Sequence, residues 1–300
     1  MTGERPMVPE GEFRSYYGRP IIKPPVWKSP DVPLYFFVGG LSGASAVMAG
    51  LAEATSRPRL ARVGRWGAAA GALAGAGALI HDLGRPERFL NMLRVLKPTS
   101  PLSVGSWLLA SFGSLAGAAA ASDASGLVPR AGRAAGFGAA ALGPAVSTYT
   151  AVLVADTAVP AWHDGRAFLP FVFAGSSAAS AGGLCLLGVP PGECGPARRV
   201  AALGAALELG AGQAMERKLG TVGEVYREGK AGRFMTAARV LTAAGAAGTL
   251  VSGRSRALSA LSGAALLAGS LCIRFGVFEA GYASARDPRH TVVSQRPFRS

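Results

Sequence analysis

The segment "GRWGAAAGALAGAGALIHDLGRPERF", residues 64–89, changes abruptly from apolar to polar. In its first two thirds the only polar side chains are Arg65 and the Trp66 indole, and then His81, Asp82 and several arginines follow. An apolar stretch of about 17 to 25 residues is long enough to cross the hydrocarbon core of a bilayer as a helix. The segment therefore predicts a transmembrane helix that ends in a polar cluster at the membrane surface.

The composition of the whole chain agrees with this interpretation. Half of the 300 residues are hydrophobic and only 16% are charged, with 42 glycines. The mean hydropathy is +0.31. A water-soluble fold of this composition would have too little polar side chain to cover its surface. We therefore expect a membrane protein.

Seven further apolar stretches of this kind occur along the chain. Together they predict an all-α integral membrane protein with eight transmembrane helices. Gly and Ala dominate the stretches, and small residues let helix backbones approach closely in lipid. The series Gly71, Gly75 and Gly77 predicts one such packing seam. The predicted spans are residues 33–53, 64–82, 103–121, 134–158, 167–189, 198–216, 234–252 and 257–283.

Two tails, residues 1–32 and 286–300, flank a predicted membrane domain of residues 33–285. The first tail contains Lys, Arg and Pro-rich turns but no apolar core of about 7 to 15 residues, which a secretory signal needs. Its segment "SYYGRPIIKPPVW", residues 15–27, is rich in aromatic and apolar side chains and predicts a segment that docks on a partner. The alternative is a loose polar tail.

The distribution of Lys and Arg predicts the orientation. Loops on the face that carries both termini contain more of these residues than loops on the other face. By the positive-inside rule this bias places both termini in the cytoplasm. The net charge of +14 then belongs to loops that face anionic lipid headgroups or an acidic partner. We expect no nucleic-acid partner, because no soluble domain presents a basic surface.

The few cysteines and histidines argue against redox cofactors held by this chain. Cys185, Cys194 and Cys272 have no paired spacing, so we expect no iron-sulfur cluster here. Only His81 lies at a span, whereas a membrane cytochrome b needs paired axial imidazoles inside helices. The chain also has no Gly-rich lysine motif of the kind that binds ATP phosphates.

Ionisable side chains inside the spans are costly in lipid and mark either a function or an internal partner. Glu208, in "LGAALELGAGQAMER", is the most deeply placed acid. Gly212 and Glu216 share its helical face at positions i+4 and i+8. We interpret this face as a polar track from mid-membrane to the loop between the sixth and seventh spans.

Other ionisable groups lie nearer the ends of spans. Arg274 and Glu279 come late in the eighth span, and Asp156 ends the fourth, with Tyr149 on the same helical face. Two interpretations of Arg274 stay open. It belongs to an internal proton path with Glu208 and Glu279, or it neutralises Glu208 or Asp156 and only locks helices together.

The polar cluster after the second span is one of several polar and aromatic groups on the face of the termini. A pocket with a titratable His and Asp, hydroxyls, aromatic rings and access to lipid suits a quinone headgroup. Such a headgroup needs hydrogen-bond partners for two carbonyls and proton exchange on reduction. The alternative is an interfacial cap in which the cluster binds lipid phosphates. The groups are Tyr35, Phe36, His81, Asp82, Ser103, Ser106, Trp107, Asp156 and Trp162.

The motif "HDLGRPERFLNMLRVLKPTSPLSVGSW", residues 81–107, resembles the signature of the NrfD, or polysulfide reductase membrane-subunit, family. Softer similarities extend along nearly the whole chain: "YFFVGGLSGAS", "GPAVSTYTAVLVADTAVPAW", "LPFVFAGSSAASAGG" and "RFGVFEAGYASARDPRHTVV". The resemblance implies an eight-helix membrane anchor arranged as two four-helix bundles. Such an anchor exchanges electrons between the quinone pool, menaquinone by expectation, and a ferredoxin-like iron-sulfur subunit. That subunit is in turn connected to a molybdopterin oxidoreductase.

The resemblance also implies where the quinone binds. It places the site near the surface that docks the iron-sulfur subunit, which here is the face of the termini. Family members often have a polar Asn or His at the start of the first span, where this chain has Tyr35 and Phe36. The residues carried over as quinone-site neighbourhood are His81, Asp82, Arg85 and the segment Ser103 to Trp107, with Tyr149 and Asp156 as a second wall.

We therefore expect an anchor subunit of a formate dehydrogenase-like or polysulfide reductase-like complex. Two other functions stay open. A secondary transporter or proton-translocating protein would use Glu208 and Asp156 in mid-membrane, but it should show broken helices and an internal repeat, which the sequence lacks. A passive anchor would need only the docking tail and the loops.

Overall fold

The computed structural model describes residues 21–23, 25–83 and 91–295, and all regular structure in those residues is helical. Four short 3-10 turns, at Gly165–Ala167, Pro191–Glu193, Gly220–Tyr226 and Ser252–Arg254, connect some of the helices. The α-helices in these residues are α1 Asp31–Ala54, α2 Pro58–Leu83, α3 Pro101–Ser125, α4 Pro129–Ala155, α5 Pro160–Asp164, α6 Leu169–Gly188, α7 Gly195–Lys218, α8 Gly229–Val251, α9 Arg256–Arg286 and α10 Pro288–Gln295.

Each of the eight predicted spans overlaps one long helix, namely α1 to α4 and α6 to α9. Six of these helices are long and apolar enough to cross a membrane. Helices α2 and α7 have the length but not the mean hydropathy, because α2 contains arginines and many glycines and α7 carries several charged residues. The chain therefore has the architecture of an all-α, multi-pass membrane protein.

Proline sets the start of many helices. It occupies the first turn of α2 to α7, where its missing N–H has no helical acceptor to lose. Before a proline the backbone is extended, as at Val159, whose ψ is 117°. The chain therefore leaves the helical conformation after Ala155, and Trp162 lies in the separate short helix α5. The prediction had extended the fourth span to residue 158.

Helix α1 lies at the centre of the packing. It contacts α2 and α4 extensively and also touches α6 and α9. Helix α3 packs on α4 and α2. In the C-terminal half, α6 packs on α7 and α9, and α8 packs on α9. Contact between α7 and α8 is much smaller, so an open cleft separates these two helices.

Glycines allow the closest helix contacts. A Cβ at Gly43 would lie 2.5 Å from the carbonyl oxygen of Gly143, so α1 and α4 meet backbone to backbone. In the predicted seam of α2, a Cβ at Gly71 would lie 2.8 Å from Cβ of Ser42, whereas Gly77 has open space beside it. The seam thus packs on α1 at Gly71 and Gly75 but not at Gly77.

The start of α1, the end of α9 and helix α10 lie at one end of the helix bundle, which we call the terminal face; the opposite end is the distal face. The largest buried cluster lies toward the terminal face and is rich in aromatic side chains. Its fully or nearly fully buried aromatic members are Phe36, Trp162, Phe173, Tyr226 and Phe278.

Candidate functional site

The N-terminal segment that precedes α1 docks on the helices of its own chain. The Trp27 indole stacks on Trp162, with ring centroids 5.5 Å apart and an angle of 25° between the ring planes. The Tyr282 hydroxyl donates hydrogen bonds to the carbonyl oxygen of Pro25, at 2.9 Å, and to that of Trp27. We call residues 25–28 the N-terminal strap. Of the predicted docking segment 15–27, residues 15–20 and 24 lie outside the described part of the chain.

Hydrogen bonds to two other parts of the chain fix the position of Trp162 and its neighbour Ala161. Its indole N–H donates to the carbonyl oxygen of Val277 at 2.7 Å, and its side chain is fully buried. The neighbouring residue Ala161 accepts a hydrogen bond from the Tyr226 hydroxyl at 2.9 Å. Burial raises the pKa of Tyr226, so this hydroxyl stays protonated and remains a donor. Helix α5 is therefore fixed to both α9 and the turn that follows α7.

A cleft of about 500 Å³ opens between the N-terminal strap and the connection from α4 to α5. Its size lies within the usual range for a pocket that binds a small organic molecule, about 300 to 1,000 Å³. Nearly all of its lining is apolar, and the two indoles form its floor. We call it the terminal-face cleft. Its lining residues are Ile22, Lys23, Pro25, Val26, Trp27, Thr157, Ala158, Val159 and Trp162.

His81 and Asp82 tie the end of α2 to the start of α1. Nδ1 of His81 lies 2.9 Å from Oδ2 of Asp31, and the His81 side chain is 78% exposed. The Asp82 carboxylate accepts a hydrogen bond from the backbone N–H of Lys28 at 3.3 Å. Asp82 therefore contacts the strap directly, beside the terminal-face cleft. Arg85, the other polar residue expected here, lies outside the described residues.

Tyr35 on α1 and Tyr149 on α4 pack among the first four helices, and neither of them lines the terminal-face cleft. Both rings are largely shielded, and they lie close enough to interact electrostatically. The Tyr149 hydroxyl donates to the carbonyl oxygen of Pro101 at 2.9 Å, and its ring packs directly over Gly105. Any larger residue at position 105 would collide with that ring. Tyr149 thus fastens α4 to the start of α3.

The remaining expected residues of α3 have local partners. Ser103 accepts from the backbone N–H of Lys97 and donates to the carbonyl oxygen of Val95, both at 3.0 Å, so it organises the loop before α3. Ser106 donates to a carbonyl oxygen of its own helix at 2.8 Å. Trp107 is 38% exposed on the outer surface of the helices. These hydroxyls are engaged by backbone atoms.

Asp156 caps the end of α4 and is exposed. It lines a polar cleft of about 690 Å³ on the terminal face. Because Thr157 lines both clefts, Asp156 lies beside the terminal-face cleft, although it is not one of the residues that line it. Asp82 and Asp156 therefore stand on different sides of that cleft. The side chains that share the polar cleft with Asp156 include His163, Asp164, Arg166 and Thr291.

A third cleft, of about 410 Å³, opens between α7 and α8 and reaches Glu208. Glu208 is 1% exposed, and its Oε1 accepts a hydrogen bond from the Thr242 hydroxyl at 3.0 Å. Its Oε2 has no hydrogen-bond partner among the described residues. We call this space the α7–α8 cleft. Its lining residues are Glu208, Leu209, Gly212, Gln213, Glu216, Arg217, Arg227, Met235, Arg239, Ala243 and Ile273.

Arg274 is fully buried behind this cleft. Its guanidinium carbon lies 3.7 Å from the ring centroid of Phe173. One terminal nitrogen donates to the Phe173 carbonyl oxygen at 3.0 Å and to the Ser177 hydroxyl at 2.9 Å. Its other two nitrogens have no hydrogen-bond partner within the described chain. Glu208 interacts with Arg274 electrostatically, but the two do not form a direct ion pair.

Glu279 lies away from Glu208. Its carboxylate forms an ion pair of 2.6 Å with Lys230 at the start of α8, and it lines a separate cleft on the terminal face. The structure thus groups Glu208 and Arg274 in the interior and places Glu279 near the surface.

Sequence reasoning identified Glu208, Gly212 and Glu216 as one track but missed the partners of these residues. Thr242 is one of three threonines on α8, and no local pattern distinguishes it from the other two. Arg227 and Arg239 bind the Glu216 carboxylate at 3.3 Å and 2.7 Å from positions far along the chain. Trp27 also gave only a general docking signal, because its partner Trp162 is distant in sequence.

Among residues 21–23, 25–83 and 91–295, no three His, Cys, Asp or Glu side chains are grouped as metal ligands. Beside the expected site residues, the structure has room for a small molecule in the terminal-face cleft, in the α7–α8 cleft, and in the two polar clefts that Asp156 and Glu279 line.

Comparison with known families gives one match. Residues 22–121 match the family described as polysulphide reductase, NrfD. This range runs from the segment before the strap through most of α3 and includes His81 and Asp82. The match confirms the resemblance to the NrfD family over residues 22–121. The resemblance of the later segments stays a prediction. No curated protein matches the chain.

Proposed function

We propose, from the NrfD family match over residues 22–121, that this chain is the membrane anchor subunit of an oxidoreductase complex. It exchanges electrons between the quinone or menaquinone pool and a ferredoxin-like iron-sulfur subunit. In this proposal the eight long helices cross the membrane as two four-helix bundles, α1–α4 and α6–α9. Both termini are cytoplasmic. The packing of helices within each group of four supports the bundle arrangement.

The observation that carries the proposal is the terminal-face cleft. A quinone headgroup is a flat, mostly apolar ring, and the cleft offers apolar side chains and two stacked indoles in a volume of about 500 Å³. Asp82 and Asp156 lie beside it, and His81 precedes Asp82 at the end of α2. We place the headgroup here, near the loop between α2 and α3. The strap and Trp162 shield the ring from water, and the carboxylates and His81 exchange protons with it.

The partner subunits dock on the terminal face in this proposal. The iron-sulfur subunit brings its terminal cluster close to the headgroup, and a molybdopterin oxidoreductase subunit lies beyond it. Exposed charges of both signs surround the polar clefts of this face, which suits a protein partner. They include Asp156, Arg166, Glu228, Arg286 and Arg289.

A native pull-down in mild detergent, followed by optical titration with a quinol analogue, tests the proposal. The wild type should bring down iron-sulfur and molybdenum subunits, and quinol should change the redox state of the clusters. Trp27→Leu and Asp82→Asn should weaken quinol-linked turnover by at least tenfold while the subunits still co-purify. Trp66→Leu, on the distal face, is the matched control for the tryptophan and should keep wild-type turnover.

Two results would overturn the proposal. One is a chain that purifies without iron-sulfur subunits and binds no quinol analogue. The other is full quinol turnover in Trp27→Leu and Asp82→Asn, which would leave the chain as a passive anchor or move the headgroup elsewhere.

The transporter alternative relies on Glu208 and Asp156 acting together. Glu208 lies buried in the α7–α8 cleft, whereas Asp156 is exposed in the polar cleft of the terminal face. A shared transport site would need both groups in one cavity, and the arrangement therefore favours the anchor function.

A further inference from the structure

We propose that the α7–α8 cleft is a water-filled channel that carries protons between the terminal face and the Glu208 carboxyl group. This cleft belongs to the second group of four helices and is separate from the terminal-face cleft. The cleft has a volume of about 410 Å³. Since a water molecule occupies about 30 Å³ in the liquid, the cleft has room for on the order of a dozen waters.

The inner end of the cleft contains an unmet hydrogen-bonding requirement. Glu208 is 1% exposed and is one of the residues that line the cleft; its Oε1 accepts a hydrogen bond from Thr242, and its Oε2 has no hydrogen-bond partner among the described residues. Buried carboxyl oxygens nearly always have a hydrogen-bond partner, because leaving one unpaired is costly. A water in the cleft supplies that partner. The same water gives the carboxyl group a route for its proton.

Polar groups continue from Glu208 toward the terminal face. Glu216 lies two turns further along α7, about 12 Å away at 1.5 Å per residue, and Gln213 lies between them. At the mouth, the Glu216 carboxylate is held by Arg239 at 2.7 Å and Arg227 at 3.3 Å. Both arginines are about half exposed. A chain of waters along this face therefore has hydrogen-bond partners from the mouth to Glu208.

Toward the distal face the lining of the cleft ends at Glu208 on α7 and Ala243 on α8. Helices α6 and α7 meet there backbone to backbone, since a Cβ at Gly175 would lie 2.5 Å from the Glu208 nitrogen. A Cβ at Gly204 would lie equally close, 2.5 Å, to the Ala179 nitrogen. This close contact leaves no room for water molecules between α6 and α7. Glu208 therefore exchanges protons with the terminal face and not with the distal face.

The charges around Glu208 favour a proton over a metal cation. Arg274 on α9 is a buried cation that interacts with Glu208, and Arg239 on α8 stands nearer the mouth. Helix α6 places the neutral Ser176 hydroxyl near the Glu208 carboxyl group, where that hydroxyl shares a 2.7 Å hydrogen bond with Ser270. Helix α7 itself contributes Glu216 and Arg217. A Na⁺ ion at Glu208 would face the uncompensated Arg274 guanidinium. A proton on the carboxyl group removes a charge and adds none.

A pair of cysteine substitutions on α7 tests the water-filled channel. Gly212 lines the cleft, whereas Gly210 is on the exposed surface of the same helix, and a Cβ at either position has nothing within 4 Å. Gly212→Cys and Gly210→Cys are made in a chain whose three native cysteines are replaced by alanine. A membrane-impermeant cationic methanethiosulfonate is added to either face of sealed vesicles, and labelling rates are measured.

Gly212→Cys should react from the terminal face at least tenfold faster than Gly210→Cys, which faces lipid. It should not react from the distal face. Equal rates for the two variants, or no reaction of Gly212→Cys in protein that elutes as a folded species in size-exclusion chromatography, would contradict a water-filled cleft. Labelling from the distal face would overturn one-sided access.

Infrared spectroscopy tests the proton step at the Glu208 carboxyl group itself. On transfer from H₂O to D₂O, the carbonyl band of a protonated Glu208 should shift within the mixing time, and the band should be absent in Glu208→Gln. Labelled Gly212→Cys should slow the shift by at least tenfold because the reagent blocks the cleft. A spectrum with no band that Glu208→Gln removes, or a shift that labelling leaves unchanged, would overturn the proposal.

Discussion

At the scale of single residues, Trp162 organises the terminal face. It is fully buried, donates to Val277 and supports the Trp27 indole. We expect Trp162→Ala to destabilise the protein by about 3 to 5 kcal/mol, the usual cost of removing a large buried aromatic side chain. Trp162→Phe keeps a ring but loses the N–H donor, and its effect should be smaller. Thermal unfolding in detergent measures both.

The control for this prediction is Trp107→Ala, because that tryptophan is 38% exposed. Its change in unfolding free energy should stay within about 0.5 kcal/mol, as for surface substitutions generally. Comparable losses in Trp107→Ala and Trp162→Ala would show that Trp162 has no special structural role.

Arg274 and Glu208 form the other residue-scale unit. Both side chains are buried in the interior without a direct ion pair between them. Removing one charge leaves the other uncompensated, so Arg274→Met alone should destabilise strongly. Adding Glu208→Gln should recover part of the loss, with a coupling free energy of about 0.5 to 3 kcal/mol in a double-mutant cycle. Strict additivity of the two substitutions would mean that the two charges do not support each other.

At the scale of elements, the contact between α6 and α7 depends on glycine. A Cβ at Gly204 would lie 2.5 Å from the Ala179 nitrogen, so Gly204→Ala must push the two helices apart. We expect a lower unfolding temperature for Gly204→Ala. Gly210→Ala is the matched control on the same helix, because a Cβ there has nothing within 4 Å. It should be neutral or stabilising by up to about 1 kcal/mol, from the higher helix propensity of alanine. A greater loss at position 210 than at 204 would contradict the packing.

Helix α10 is held at its start by Asp287, whose side chain accepts from the backbone N–H of Arg289 at 2.9 Å. The hydrogen bond from the Arg289 side chain lowers the pKa of Asp287 below its ordinary value. The stability that the ionised Asp287 carboxylate gives to α10 is therefore fully present at pH values above the ordinary pKa of an aspartate. It is lost as the pH falls through the lowered pKa of Asp287. Asp287→Ala should cost about 1 kcal/mol of local stability. Faster hydrogen exchange in Pro288–Gln295, with α9 unchanged, is the expected result; unchanged exchange in α10 would show that the cap is dispensable.

At the scale of the whole molecule, the question is whether α7 crosses the membrane, since it is not among the six apolar candidates. The chain before α7 and the turn after it lie at opposite ends of the helix. Cysteines at Gly192 and Thr221, both at exposed positions, should therefore be labelled from opposite sides of sealed vesicles. Labelling of both from one side would mean that α7 does not span and that the eight-span topology is wrong.

The locations of the long helices followed closely from the sequence. All eight predicted stretches overlap long helices, because an apolar run of membrane length is a local property of the chain. The ends were less accurate, as in α4, where extended backbone before Pro160 ends the helix early. The candidate site was only partly predictable. The sequence showed which polar and aromatic residues lie near the terminal face. It did not show that the N-terminal strap covers a cleft there.

The sequence by itself determined which segments are helical and apolar, and it placed Glu208, Gly212 and Glu216 on one face, since helical periodicity relates residues a few positions apart. Only the tertiary structure decided that Trp27 stacks on Trp162 and that Thr242 binds Glu208. Such contacts join residues distant along the chain. They depend on how closely helices approach at their glycines and where helices separate to leave a cleft, and a local sequence pattern does not encode either distance.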